Sequence, residues 1–443
     1  MEAVARPAKA RRPPEEALLD LHEFDAHGTS RAEFKDRWIE VEHGIPGEQV
    51  RALVFGKRRR SARIEEIVKP APDRVEAPCP HFHQGCGGCQ WQMLSAESQL
   101  ERKLARARSA LTEAGLAVSW RNPNVEMGSQ WRYRATAGIS LGHAAGFRRR
   151  GSQSIVALAD CPICVPEIGR LAAELNRLIS DGAIRNFFGE VGIEVRSVES
   201  DGGDGLHCCI VPSPASRHAS IEAVMPLAKA LAKLNFVTGI VYRHRQDAAE
   251  LLFGEPYGWR SIEGRPFALS AATFFQTNLQ LLPVLLRDLR REAGLTGRET
   301  VIDVYGGVGL LGLWLADEAR RVIEIEIDPV GTDGAKQSRA RQQIANVDFL
   351  TGTAEGLMAK IETAEIVIVD PPRSGLTPKV IEAIGRLKPN KILYVSCFAP
   401  SMARDAAALG EFGYRLGDVK AYDFYPQTYH LELFAALTRG SGE

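Results

Sequence analysis

The 443-residue sequence predicts an α/β protein: a doubly wound, parallel-sheet domain preceded by a small OB-like β-barrel and a central α+β region with a cysteine cluster. Three observations predict it. From residue 266 onward, short β-branched runs alternate with helical stretches, the pattern of a parallel sheet with crossover helices. Residues 15–70 hold several short strand-like runs punctuated by Gly and Pro, as in a small barrel. Between the two, five of the eight cysteines fall in two tight groups.

Composition narrows the class. Apolar residues make up 45% and charged residues 25%, and no apolar run approaches the roughly 18 residues that span a membrane. The amino terminus, with Arg6, Lys9, Arg11 and Arg12 among Ala and Pro, lacks the apolar segment of a secretory signal. Residues 1–14 therefore read as a disordered basic tail. Lys plus Arg equals Asp plus Glu at 55 each, so total charge favours no polyanionic partner and any nucleic-acid site depends on local clustering. Without an export signal, grouped cysteines point to metal ligation in a cytoplasmic protein rather than to disulfides.

In chain order, the barrel is expected over residues 15–75, with strands at Trp38-Ile-Glu-Val-Glu, 49–55 and 61–68 and a Gly-Ile-Pro-Gly turn at 44–47. The run Lys57-Arg-Arg-Arg60 lies on a loop, as a solvated turn or a phosphate contact. Pro70, Pro72, Pro78 and Pro80 form a stiff connection to a central domain over 76–265. There, Cys79-Pro-His-Phe-His-Gln-Gly-Cys86-Gly-Gly-Cys89 is followed by Cys161-Pro-Ile-Cys164. Thiolates in a Gly-rich loop can wrap a metal. Pairing two C-x-x-C units would suit zinc, while Cys79, Cys86, Cys89 and one later cysteine would suit an iron–sulfur cluster, and spacing leaves both open. Residues 93–116 show helical periodicity. Trp131-Arg-Tyr-Arg and Gly146-Phe-Arg-Arg-Arg read as paired strands with Arg132, Arg134, Arg148, Arg149 and Arg150 among aromatics, a pattern suited to unpaired RNA. Cys208 and Cys209, in an apolar run, read as buried strand residues.

The carboxyl-terminal domain, 266–443, carries the chemistry. The strand Thr300-Val-Ile-Asp-Val-Tyr runs into Gly306-Gly-Val-Gly-Leu-Leu-Gly312, where Gly allows close approach of a nucleotide-type ligand to a helix start. The next strand ends in acids, and Glu326 is placed to take the ribose hydroxyls of an adenosine. A later strand ends at Asp370-Pro-Pro-Arg, whose prolines stiffen the loop and project Asp370 into the crevice. Cys397 stands at the end of the strand after that, a reachable thiol. His430 and Glu432, two apart, share one side of an extended chain. Together these groups define a reaction. Carbon 5 of a pyrimidine is too weak a nucleophile to take a methyl group unaided, but a thiolate adding to carbon 6 makes it an enolate carbon. A base must then remove the carbon 5 proton. Cys397 and Glu432 suit these two roles.

At these residues the chain resembles the RNA uracil-C5 methyltransferases, particularly the iron–sulfur-containing enzymes of 23S ribosomal RNA. The resemblance runs from about residue 15 to the end through Cys-Pro-His-Phe with Cys-Gly-Gly-Cys, Gly-Phe-Arg-Arg-Arg, Phe275-Gln276-Thr-Asn278, Asp370-Pro-Pro-Arg, Ser396-Cys397 with Ala403-Arg404-Asp405, and Pro426-Gln-Thr-Tyr-His-Leu-Glu432. It implies an amino-terminal TRAM barrel and a Rossmann-like class I methyltransferase domain. It further implies Gln276, Tyr305, Glu326 and Asp370 as S-adenosylmethionine contacts, Cys397 as nucleophile and Glu432 as base. Cys79, Cys86, Cys89 and Cys161 match the ligands of a 4Fe–4S cluster, leaving Cys164 spare. The helix after Cys89 is implied to pack on the catalytic domain, and the protein to be a monomer acting on RNA away from membranes. The chain departs from the family's pattern at Phe398-Ala399, where Asn-Pro is usual, and in a Cys79–Cys86 loop one residue longer. It also departs at Gly306 for a frequent cysteine, at Glu324 for a small residue, and at Ser338 and Gln342 for asparagines. Competing expectations are an RNA-binding protein of this fold without catalysis, a tRNA or cytosine-C5 methyltransferase, and, from the Gly307, Gly309, Gly312 spacing, a dehydrogenase.

Overall fold

The computed structural model describes residues 13–56, 61–184, 187, 191–200, 202–212, 220–244 and 248–440, the side chains of 121–124 excepted. The expected basic tail up to residue 12 and the basic loop at 57–60 lie outside the described residues. The described residues form two compact units, one of those up to 82 with 89–99 and 427–429, the other of those in 83–88, 100–426 and 430–440.

In the first unit the strands Glu15–Phe24, Ser30–Glu33, Trp38–Glu42, Gln49–Phe55 and Ser61–Lys69 close into a barrel. Two-residue alternation drives closure: Val50, Ala52 and Val54 point inward with Leu19, Leu21, Ile39 and Val41, while Arg51 and Phe55 face out. The buried Glu48 carboxylate accepts the N–H groups of Ile45 (2.9 Å) and Ala71 (3.2 Å) and a guanidinium N–H of Arg74 (2.8 Å). It thereby ties the proline segment to the barrel. Trp91 is fully buried, donates Nε1–H to the Gly28 carbonyl at 2.9 Å, and lies 5.0 Å from the Phe24 ring. These contacts carry the unit well past residue 75.

The second unit holds two sheets. In the first, nine-stranded and mainly antiparallel, Val191–Ser200 pairs with Gly203–Pro212 along its whole length. Cys208 and Cys209 are buried strand residues, as expected, and burial pushes the Cys209 thiol up to about 12. The Arg-rich segment differs from expectation. Trp131-Arg-Tyr-Arg does not form a strand, because Arg132 turns the chain with φ 54°. The Arg132 and Arg134 N–H groups bond instead to Pro162 (2.9 Å) and Ile163 (2.8 Å). Extended pairing starts only at Thr136–Leu141 and Ala145–Arg148.

The other sheet has the order Val347–Thr351, Arg321–Glu326, Thr300–Val304, Ile366–Val369, Lys391–Ser396, Glu432–Arg439, Val419–Tyr422, Trp120–Glu126. The first five strands are parallel, and Glu432–Arg439 runs against Lys391–Ser396. Alternate residues feed two cores. Ile302, Val304, Val367, Val369, Ile392 and Tyr394 pack with Val380, Ile384 and Met402, whereas Val301, Ile366, Ile368, Leu393 and Val395 pack with Leu285, Leu289 and Leu311. That is the two-faced burial expected of a parallel sheet, here Rossmann-like. Helix Ala96–Glu113 contributes Ala107 and Leu111 to the first core, and its Lys103, fully buried, pairs with Asp423 at 2.7 Å. Among the described residues no helix is long and apolar enough to cross a membrane.

Candidate active site

Parallel strands bring their carboxyl ends to one edge, and the antiparallel strand Glu432–Arg439 starts there. Its register pairs Ser396 with Leu433, so the next residues outward, Cys397 and Glu432, stand opposite each other. The Cys397 strand stops because Phe398 (φ −144°, ψ 97°) leads into helix Ala399–Gly410, with Pro400 in its first turn.

The Asp370 loop is held from behind. Pro371 and Pro372 offer no N–H, and Gly375, at φ 76°, turns the chain so that its N–H meets the Pro372 carbonyl at 2.8 Å. Fully buried Asp405 accepts the Leu376 N–H (2.6 Å) and the Tyr394 hydroxyl (2.7 Å), while Arg404 donates to the Ser374 carbonyl (2.7 Å). The Ala403-Arg404-Asp405 motif thus holds the loop that carries Asp370. From the opposite side, Gln276 Nε2 donates to Asp370 Oδ2 at 3.2 Å, and Gln276 Oε1 lacks a hydrogen-bond partner among the described residues.

Burial sets the electrostatics. It pushes Asp370 up to about 7, against the hydrogen bond from Gln276. Glu432 is held well above the carboxylate range by burial and by Asp370, against the Tyr425 hydroxyl that donates to it at 3.3 Å. The Cys397 thiol is driven up to about 12 by burial, Glu432 and Asp370, and Arg373 is the cation that opposes them. The His430 ring lies against Tyr425 at 5.8 Å, and burial plus nearby cations, Arg373 first, keep it neutral down to about 3.

The glycine-rich turn lies at the same edge. Tyr305 takes φ 67°, unusual for a bulky residue, and its N–H and that of Gly306 both bond the Ile325 carbonyl (3.0 and 3.1 Å). Glu326 receives the Gly307 N–H on one oxygen (2.9 Å) and the Asp328 N–H on the other (2.6 Å). Each oxygen retains a lone pair for a hydroxyl. Beneath the turn lies a feature that reading the chain did not foresee. Asp303 and Glu324 are register partners on adjacent strands, both buried. A Cβ on Gly309 would stand 2.8 Å from a Glu324 oxygen, and one on Gly312 2.5 Å, so the carboxyl fills space that only glycine leaves.

Four acids here share one behaviour. Asp303 is pushed up to about 8 and Asp370 to about 7, chiefly by burial, and Glu324 and Glu432 stay well above the usual range. The folded chain keeps these protons where the unfolded chain, titrating near pH 4, has released them. More protons are bound when folded, so this stability is complete at the acid end and lost as pH rises through about 7 to 8. The melting temperature of ligand-free protein is expected to fall between about pH 5.5 and pH 8.5. Glu324→Gln should flatten the fall. A melting temperature that is level or rising over that range would contradict the sign.

At the cysteine groups, Cys79, Cys86, Cys89, Cys161 and Cys164 are all buried. Cys164, expected to be spare, hydrogen-bonds Cys161, and that bond heads the causes that bring the Cys161 thiol down to about 7. Arg132 grips the same loop through Asp160 Oδ1 (2.8 Å) and the carbonyls of Cys161 (3.1 Å) and Cys164 (3.3 Å). Tyr133 is buried, its hydroxyl donating to the Pro426 carbonyl at 2.9 Å, so it offers no stacking face. Arg149 remains exposed, with Arg148 bonded to Ser140 at 3.3 Å. Soft, buried thiols are a donor set that suits iron or zinc, although no group of three or more His, Cys, Asp or Glu side chains among the described residues is arranged to hold a metal ion.

The sheet order, the glycine turn and the carboxylate ending the second strand define a class I methyltransferase fold. Residues 261–439 match the model of the tRNA (uracil-5-)-methyltransferase family. An RNA methyltransferase of Halalkalibacterium halodurans is 32% identical over 431 residues, 90% of this chain and 91% of the relative. One from Gloeobacter violaceus is 31% identical, covering 91% and 92%. The crystal structure of Pyrococcus abyssi tRNA (uracil-54, C5)-methyltransferase with S-adenosyl-L-homocysteine superposes with a TM-score of 0.71, covering 95% of this chain and all of that one at 22% identity. The chain belongs to the RNA uracil-C5 methyltransferases, which depend on S-adenosylmethionine.

Proposed function

We propose that the protein forms 5-methyluridine in 23S ribosomal RNA by covalent catalysis. The observation that carries the reading is the placement of Cys397 and Glu432 opposite each other at the sheet edge, beside Asp370. S-adenosylmethionine supplies an electrophilic methyl group, and Gln276, Tyr305, Glu326 and Asp370 would hold it, Glu326 through the ribose hydroxyls. The Cys397 thiolate adds to carbon 6 of the uracil, and carbon 5 gains enolate character and takes the methyl group. Glu432, its resting proton first released to solvent, then removes the carbon 5 proton, and the sulfur–carbon bond breaks to return the thiolate. A carboxylate whose basicity burial has raised is suited to that transfer near neutral pH. The uridine must be splayed from its RNA fold to reach the thiol.

Cys79, Cys86, Cys89 and Cys161 would hold a 4Fe–4S cluster. Spacing and thiol burial support this, and the contact of Cys164 with Cys161 makes Cys164 the alternative fourth ligand. The protein is read as a cytoplasmic monomer.

Incubation with a labelled methyl donor and ribosomal RNA lacking the modification, followed by nucleoside mass spectrometry, tests the function. Label in 5-methyluridine of 23S RNA is expected. Label in tRNA or in 5-methylcytidine would replace the substrate, and no incorporation would favour an RNA-binding protein without catalysis. Anaerobically purified protein should carry about four iron and four sulfide per chain; zinc in their place would overturn the cluster.

A further inference from the structure

Phe398 follows the candidate nucleophile directly, at the place where the resemblance leads to an asparagine. A phenyl ring cannot reproduce an amide's hydrogen bonds, and its surroundings give it another task. The backbone of Phe398 is pinned from both sides. Its N–H donates to Ser396 Oγ at 3.2 Å, and its carbonyl accepts from Ser401 Oγ at 2.8 Å. The helix begins at the next residue, so the backbone of Phe398 is fixed directly after the thiol-bearing residue. Over that ring lies the Arg373 guanidinium, 5.0 Å from the centroid. Arg373 belongs to the loop that presents Asp370, is exposed to solvent, and acts on both Cys397 and His430.

Glu432, Asp370, Tyr425 and Arg373 are the charged or titratable groups that act electrostatically with the Cys397 sulfur. The carboxyl groups oppose formation of a thiolate and the guanidinium favours it. An exposed arginine on a loop ordinarily samples many rotamers, and its mean effect on a nearby sulfur falls accordingly. Stacking on an aromatic face restrains it.

We propose that Phe398 is a positioning residue for the covalent step: its ring holds the Arg373 guanidinium beside the Cys397 sulfur, where the cation favours the thiolate over the thiol. The thiol proton passes to solvent. The proposal rests on the reading of Cys397 as the nucleophile.

Alkylation of the full-length protein by iodoacetamide, with Cys397 followed by peptide mass spectrometry in the absence of RNA and S-adenosylmethionine, reads the thiolate directly. Phe398→Leu and Arg373→Met are each expected to slow alkylation of Cys397 at about pH 8 by about 3–10-fold and to shift its pH profile upward. Phe398→Tyr, which keeps an aromatic face, should restore the parental rate and shows that lost packing is not the cause. The double variant should be no slower than the slower single one. Parental alkylation in Phe398→Leu, or losses that multiply in the double variant, would overturn the proposal. So would an Arg373→Met protein that alkylates normally and only binds RNA more weakly, which would assign the guanidinium to phosphate. Methyl transfer by Cys397→Ala is measured separately: if it persists, the nucleophile reading fails, while the alkylation series still reports whether ring and guanidinium govern the thiol.

Discussion

Cys397→Ala is expected to lower methyl transfer to RNA by about 10⁴-fold or more, to the background of the assay. The size follows from the chemistry rather than from the fold. Carbon 5 of uracil has no adequate nucleophilic character until a group adds at carbon 6, so removing the sulfur removes the reaction path, not one stabilising contact. Stability should change little. Cys397 is half-buried at the end of its strand, and the adjoining ladder from Lys391 to Ser396 pairs independently of its side chain. The Gly307–Glu326 contact, on other strands, is also untouched. Calorimetric binding of S-adenosylhomocysteine should therefore match the parent, and so should RNA affinity in a filter assay. Loss of activity accompanied by loss of cofactor binding would mean that the substitution disturbed the edge, and residual activity above about one per cent would remove Cys397 from the nucleophile's role.

Much of this site can be read from the chain because each group ends a strand. A β-branched run that stops at Tyr305, Glu326, Asp370 or Cys397 tells where the side chain emerges, and parallel strands emerge at one edge. Contacts that depend on register or on a turning loop are not legible in that way. Asp303 and Glu324 lie 21 positions apart, and only the pairing of their strands makes them neighbours. The strand Arg321-Val-Ile-Glu-Ile-Glu is interior, and Glu324 within it is buried. Tyr425 reaches Glu432 across a loop with no periodicity to announce it, and Asp405 serves the Asp370 loop through Leu376 and Tyr394. Arg132 and Arg134 stand outside the paired strands expected of them for a related reason: Arg132 turns at positive φ and donates to the Cys161 and Cys164 carbonyls. Composition reports which donors are present and not which acceptors the fold brings to them.

Glu432→Gln is expected to slow turnover by about 10²–10⁴-fold and, unlike Cys397→Ala, to leave a covalent enzyme–RNA species that survives denaturing electrophoresis. The distinction follows from where each group acts. In the proposed order Cys397 acts before methyl transfer and Glu432 only after it, so the glutamine variant is expected to add the thiol to the uracil, to methylate carbon 5, and then to lack a base for the carbon 5 proton. Glutamine is near in shape to the protonated carboxyl that burial and Asp370 favour at rest, and it retains a carbonyl for the Tyr425 hydroxyl. The edge should keep its geometry, so the trapped species reports chemistry and not misfolding. The adduct should require both RNA and S-adenosylmethionine, contain the transferred methyl group, and disappear in the Cys397→Ala, Glu432→Gln double variant. Tyr425→Phe removes the 3.3 Å hydrogen bond to the same oxygen, and should slow turnover by roughly 3–10-fold without accumulating adduct. If Glu432→Gln turns over normally, another group takes the proton. If it is inactive without any adduct, Glu432 acts before the thiol adds, and the order of events at the two opposed residues is reversed.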